Sequence, residues 1–125
     1  RLVSMYKSAD ICVSPSTYNE GFGMSVIEGM AGSGVVIASA TGGMKERIEH
    51  GVDGLLARPN DVEDLTQCLE RLMSEPRLCD KLRVEARKKA QQHDWSVIAP
   101  MYADLFRRLA RETASATALR HANRA

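Results

Sequence analysis

The apolar positions divide the chain into a first half of short blocks and a second half of long helical stripes. Leu2, Val3, Met5 and Tyr6 cluster as in a brief helix over 2–8. Residues 11–14 (Ile-Cys-Val-Ser) and 35–39 (Val-Val-Ile-Ala-Ser) are runs without polar alternation, the pattern of strands buried on both faces. Between them Met24, Ile27, Met30 and Ala31 recur at helical spacing. This predicts a helix over 24–31 with that face on the sheet, ended by Gly32-Ser33-Gly34. Strand, loop, helix and strand make a βαβ unit. A short helix over 44–49, the glycine-bounded turn His50–Gly54 and a third strand over 54–57 complete the first half.

From residue 58 onward the period is helical. Val62, Leu65, Leu69 and Leu72 form the stripe of a helix over 62–74, with Asn60 or Asp61 as its N-cap and Glu63 and Asp64 in the first turn. Glu75-Pro76 ends it, because proline is tolerated only at a helix start. A second helix over 76–92 carries Leu78, Leu82, Val84 and Ala86. A third, over 96–112, carries Ile98, Met101, Tyr102, Leu105, Phe106 and Leu109, with Trp95 as a packing anchor before it. Residues 113–125 are small, polar and basic and read as a frayed helix or flexible tail. The fold class is α/β, ending in a helical C-terminal segment.

Composition narrows the picture mainly by exclusion. At 125 residues the chain builds one modest core, and 44% hydrophobic with 26% charged residues is ordinary for a water-soluble domain. A net charge of +1 gives no global attraction to nucleic acid. Cys12, Cys68 and Cys79 lack metal or disulfide spacing, which fits a reducing cytoplasm, and Cys12 falls in a strand as a core residue. His50, His93 and His121 have no partners at ligand spacing, so no metal is expected. No apolar run approaches the length of a membrane span. The cations from Arg83 to Lys89 read as a solvated helix face, with peripheral contact to a membrane surface as the alternative.

The candidate chemistry sits between the first strand and the helix that follows. Glu20 and Glu28 bracket Gly21-Phe22-Gly23-Met24-Ser25. Glycines allow close backbone approach, and successive amides at a helix N-terminus suit a phosphate. Ser25 adds a hydroxyl, and a carboxylate suits a diol because it accepts several hydrogen bonds. Gly42 and Gly43 stand at the carboxyl end of the second strand, where α/β sheets bind ligands. On the residues alone, Glu20 as a turn cap and Glu28 as a surface helical acid remain open.

Several blocks occur together in order: Ser8-Ala9-Asp10, Pro15-Ser16, the Glu20…Glu28 bracket around Gly21-Phe22-Gly23, Gly42-Gly43-Met44-Lys45-Glu46, and Gly51-Val52-Asp53-Gly54-Leu55-Leu56. Pro59-Asn60-Asp61 and Trp95-Ser96 follow. Over roughly 1–110 this resembles the C-terminal, donor-binding half of a retaining glycosyltransferase of the GT-B fold, group 1 family. Within it, bacterial lipopolysaccharide and exopolysaccharide sugar transferases are the most similar. The resemblance implies a Rossmann-like parallel sheet fragment with flanking helices, a partial nucleotide-sugar-binding domain over 1–112. The reaction it implies transfers a sugar from a nucleotide-diphosphate sugar to a glycan or lipid-linked acceptor, with retention and without a metal. Glu20 would contact the donor sugar near the reacting carbon. Gly21, Phe22, Gly23, Met24 and Ser25, with Gly42 and Gly43, would line the donor, and Glu28 would bind the ribose.

The same resemblance places the basic residues that grip the diphosphate, and the acceptor domain, upstream of Arg1. It therefore implies that these 125 residues alone do not turn over. Two positions depart from the family: Ser33-Gly34 and Lys45 stand where proline is common, which bears on turn geometry. The rival reading is a non-catalytic nucleotide-binding or interaction module of the same fold. A dinucleotide oxidoreductase is a poor third reading, since Val26 stands where the fingerprint needs its third glycine.

Overall fold

The computed structural model describes residues 1–32 and 34–122. Ser33, in the predicted helix terminator, and residues 123–125 of the predicted tail lie outside them. The chain comprises two compact units, Arg1–Gln91 and Gln92–Ala125. In the first, α1 (Leu2–Ser8), β1 (Ile11–Ser14), α2 (Met24–Ala31), β2 (Val35–Ser39), α3 (Met44–Arg47), β3 (Leu55–Ala57), α4 (Val62–Ser74) and α5 (Pro76–Gln91) follow in order.

The three strands form one parallel sheet in the order β1-β2-β3. Ile11 stands opposite Val35, and Ile37 opposite Leu55. The central strand is buried along its whole length, and its side chains alternate between two apolar layers. Val36 and Ala38 meet Val26, Ile27 and Met30 of α2, with Met44, Ile48, Ala86 and Ala90. Val35 and Ile37 meet Leu55 and Ala57 of β3, with Leu72, Cys79 and Leu82. Helix α5 contributes to both layers and packs against α2, α4 and β2.

Three expectations are corrected. β1 is not buried on both faces. It lies at the sheet edge, half-buried, and Val13 is exposed. In α2, Ile27 and Met30 face the sheet as expected, but Met24 and Ala31 are exposed and Val26 faces it in their place. Gly29 marks the closest approach, where a Cβ would stand 3.1 Å from both Cys12 Cβ and Val36 Cγ2. That contact sets which side of the helix turns inward. Val62 and Val84, assigned to apolar stripes, are also exposed. In the helices, covering a small sheet buries a stripe narrower than the apolar residues would fill.

Asp61 is the N-cap of α4, and its carboxylate accepts from Asp64 N at 2.9 Å. Asn60 instead takes a left-handed φ of 58° in the turn before it. Asp64 accepts from Arg58 N at 2.6 Å, and this bond is the main cause holding its carboxyl below the usual range. Replacing Asp61 by alanine is expected to lower stability by about 1 kcal/mol, the usual worth of such a cap. Urea denaturation checks this, and an unchanged midpoint would refute the capping role.

The second unit is helix α6 (Trp95–Ala122). Asp94 before it accepts from Ser96 N at 2.8 Å and from the Ser96 hydroxyl at 2.6 Å. The helix runs past its predicted end at 112 because the alanine- and arginine-rich sequence beyond contains no glycine or proline. Trp95, expected as a packing anchor, is exposed. Among the described residues, no helix is long and apolar enough to cross a membrane.

Candidate functional site

Two loops leave the carboxyl ends of neighbouring parallel strands, and they interlock. The first runs from Pro15 to Gly23 after β1, the second from Ala40 to Gly43 after β2. Gly43 N donates to Glu20 O at 2.8 Å. The fit between the loops is closer than any side chain permits. A Cβ on Gly43 would lie 2.0 Å from Gly21 O, and one on Gly42, whose φ is +40°, would lie 2.6 Å from Glu20 O. The second glycine pair is therefore a seat for the Glu20–Gly21 backbone. Gly43 commits its amide to that backbone.

Gly23 closes the first loop as the N-cap of α2, with a left-handed φ of 73°. A Cβ there would stand 2.7 Å from Met44 Sδ, so the loop is pinned to α3 as well. Its carbonyl accepts from Val26 N and Ile27 N. An α-helix leaves its first amides without intrahelical acceptors, and in α2 the foremost belong to Met24 and Ser25. They point out of the helix at the carboxyl edge of the sheet, where the partial positive charge of the dipole adds to them. Gly21 and Phe22 are exposed on the loop, and the Arg47 guanidinium lies 4.1 Å from the centroid of the Phe22 ring.

The polar side chains around this edge are held in place. Ser16 Oγ donates to Glu20 Oε2 at 2.9 Å. Ser25 Oγ lies 3.2 Å from Ser14 Oγ at the end of β1. Glu28, half-buried one turn into α2, lines a groove with Tyr6, Leu2 and Val3. Tyr6 is raised above the usual phenol value, first by burial and then by the Glu28 carboxylate. Glu20 is thus held within the glycine loop by Ser16, and Glu28 faces α1 and the end of α2.

Behind the site, Asp53 is buried and forms an ion pair with Lys89 Nζ. Its other carboxylate oxygen accepts from Glu49 N at 2.8 Å, and Lys89 also donates to Arg47 O at 3.0 Å. The cation thereby reaches the end of α3, the element whose Arg47 covers Phe22. Sequence reasoning placed Lys89 on a solvated face and gave Tyr6, Ser16 and Arg47 no role at the site. No motif marks Lys89 or Arg47, because each acts through a partner distant in sequence, and the Pro15-Ser16 block does not itself show the bond of Ser16 to Glu20. Cys12, half-buried against the first apolar layer, has its thiol pushed up by burial, which suits packing and not nucleophilic work. Exposed His50 accepts from Leu56 N through Nδ1. Among the described residues, no group of three or more His, Cys, Asp or Glu side chains is placed to hold a metal.

Comparison with known proteins bears on the family and the fold. The family model described as Glycosyl transferases group 1 matches residues 1–92. A D-inositol 3-phosphate glycosyltransferase of Streptosporangium roseum is 33% identical over 105 residues, covering 84% of this chain and 24% of that protein. Sucrose-phosphate synthase from Thermosynechococcus elongatus superposes with a TM-score of 0.81 at 35% identity, over 86% of this chain and 27% of that one. Anabaena HepE in complex with UDP superposes with a TM-score of 0.79 at 26% identity, over 82% of this chain and 28% of that one. The same protein is also solved with UDP-glucose. This chain spans about a quarter of the length of the curated relatives it matches.

Proposed function

The chain belongs to the group 1 glycosyltransferases of GT-B fold, and on that premise we propose that it supplies part of the donor site of a retaining sugar transferase. The observation that carries the proposal is the arrangement at the sheet's carboxyl edge. A glycine loop that carries Glu20 is seated by a second glycine pair and opens onto the N-terminus of the helix that carries Glu28.

The roles follow from chemistry. The donor diphosphate lies against the Met24 and Ser25 amides and the Gly21–Gly23 backbone, where N–H groups and the dipole favour anionic oxygen. Gly42 and Gly43 act on it through the loop they hold. Glu28 accepts from the ribose diol. Glu20, oriented by Ser16, accepts from hydroxyls of the donor sugar and stands near the carbon that changes partner. As the sugar–phosphate bond breaks, positive character develops on the sugar and negative charge on the leaving diphosphate. The carboxylate sits near the first, and the amides are preorganised for the second. Retention by attack on the face that the diphosphate leaves needs neither a protein nucleophile nor a metal. The acceptor, a glycan or a lipid-linked sugar, is bound by the rest of the protein, which works in the cytoplasm, including at the inner face of the membrane. Similarity to a protein solved with UDP and UDP-glucose supports a nucleotide sugar as donor.

The test is a binding and turnover screen of UDP-, GDP- and ADP-sugars on the full-length protein, with Glu28→Ala and Glu20→Ala. Glu28→Ala is expected to weaken nucleoside diphosphate binding by about tenfold, the worth of a charge-assisted hydrogen bond. Glu20→Ala is expected to lower kcat by roughly tenfold on the same ground while nucleoside diphosphate still binds. Wild-type binding and turnover in both variants would refute the assignment.

A further inference from the structure

The end of β1 carries a hydroxyl that the donor reading does not use. Ser14 is the last residue of that strand, and Ser25 stands in the first turn of α2. Both are half-buried, and their hydroxyl oxygens lie 3.2 Å apart, within hydrogen-bond distance. The bond joins the carboxyl end of the strand to the start of the helix, on the edge where the glycine loop opens. No side chain caps α2, so the Ser25 hydroxyl is not spent on the helix itself. Among the described residues, its hydrogen-bond partner is Ser14.

A hydroxyl has one proton to give and two lone pairs to receive with. Two hydroxyls that share one hydrogen bond therefore keep one proton for a third group. When Ser25 donates to Ser14, the spare proton is on the strand. When Ser14 donates to Ser25, the spare proton is on Ser25, beside the Met24 and Ser25 amides. An anion at the helix start selects the second arrangement, because it attracts that proton, and bonds in a chain polarise and strengthen one another. We infer that Ser14 is a positioning residue, whose hydroxyl donates to Ser25 Oγ and so turns the Ser25 proton toward the donor diphosphate. The inference rests on the diphosphate lying at the N-terminus of α2. It goes further by giving β1 a part in holding the leaving group, through a residue that need not touch it.

The experiment uses calorimetry on the full-length protein with whichever of UDP, GDP and ADP binds most tightly. Ser25→Ala removes the hydroxyl that meets the phosphate and is expected to weaken binding about tenfold, as for a hydrogen bond to a charged group. Ser14→Val and Ser14→Thr have nearly the same shape and differ in the hydroxyl. Valine is expected to weaken binding about fivefold, as for a bond between neutral groups, and threonine by less than about twofold. With Ser25→Ala already present, Ser14→Val has no further effect. Without ligand, the two Ser14 variants melt at the same Tm. If valine and threonine bind alike while Glu28→Ala still weakens binding, Ser14 does not position Ser25 and the donor reading stands. The inference also falls, alone, if Ser14→Val costs as much as Ser25→Ala and melts below Ser14→Thr, since the bond then only ties β1 to α2. A loss from Ser14→Val that persists beside Ser25→Ala overturns it too. If none of the three diphosphates binds, or Glu28→Ala and Ser25→Ala both bind like wild type, the donor reading falls and the role of Ser14 with it.

Discussion

Replacing Gly43 by alanine is expected to lower kcat/KM by roughly a hundredfold in the full-length protein, the cost of shifting a reacting group by about 1 Å. The φ of Gly43 is −63°, so alanine meets no backbone strain there. The obstacle is space, because the added carbon would stand 2.0 Å from Gly21 O. That atom is backbone and has no rotamer into which to retreat. The Glu20–Gly21 segment must lift away, taking with it the Gly43 N to Glu20 O bond of 2.8 Å. Overpacking of this kind also costs about 1–3 kcal/mol of stability. Gly21→Ala is the control for stability, since nothing lies within 4 Å of its added carbon. Steady-state kinetics and thermal denaturation of both variants decide the matter. A Gly43→Ala protein with wild-type kcat/KM and an unchanged Tm would show that the two loops are not locked together.

The second large effect lies behind the site. Lys89→Met is expected to destabilise the fold by about 3 kcal/mol, because it strands the buried Asp53 carboxylate without its cation. Asp53 has only 3% of its surface exposed and would keep just the Glu49 N–H. Adding Asp53→Asn should restore most of the loss. The amide oxygen can still accept from Glu49 N, and no charge is left buried. Urea denaturation of the two variants measures this. A loss below about 1 kcal/mol for Lys89→Met would place the pair among solvent-screened surface bridges. The same substitution frees Arg47 O from Lys89 Nζ, so part of its effect should reach the loop through Arg47 and Phe22.

Much of this architecture was legible because local signals were strong. Pro76 opens α5, Asp61 caps α4 and apolar runs mark β1 and β2, so element positions followed directly from the chain. The glycine loop and its flanking acids were legible for the same reason, as their spacing is fixed by the chain itself. Burial was read less well. Met24 and Ala31 fit a helical stripe as well as Val26 does. Only the approach of Gly29 to Cys12 and Val36 decides which of them turns inward, and that contact depends on tertiary structure. β1 carries the composition of a central strand but lies at the edge of this three-stranded sheet. The residues that hold the site in place were not legible at all. Arg47 covers Phe22 from α3 and Lys89 reaches Asp53 from α5, and neither pair has a spacing that a sequence pattern can register.

The seating of one glycine loop on the other also bears on how donor preference can change. Glu20 and Gly21 keep their place because Gly42 and Gly43 are bare beneath them. The two segments thus form a single structural part, although they are separate in sequence. Grafting the first loop from a relative with another donor would carry over its side chains but not the floor that shapes them. A chimera that moves 15–25 together with 40–44 transfers the whole mould.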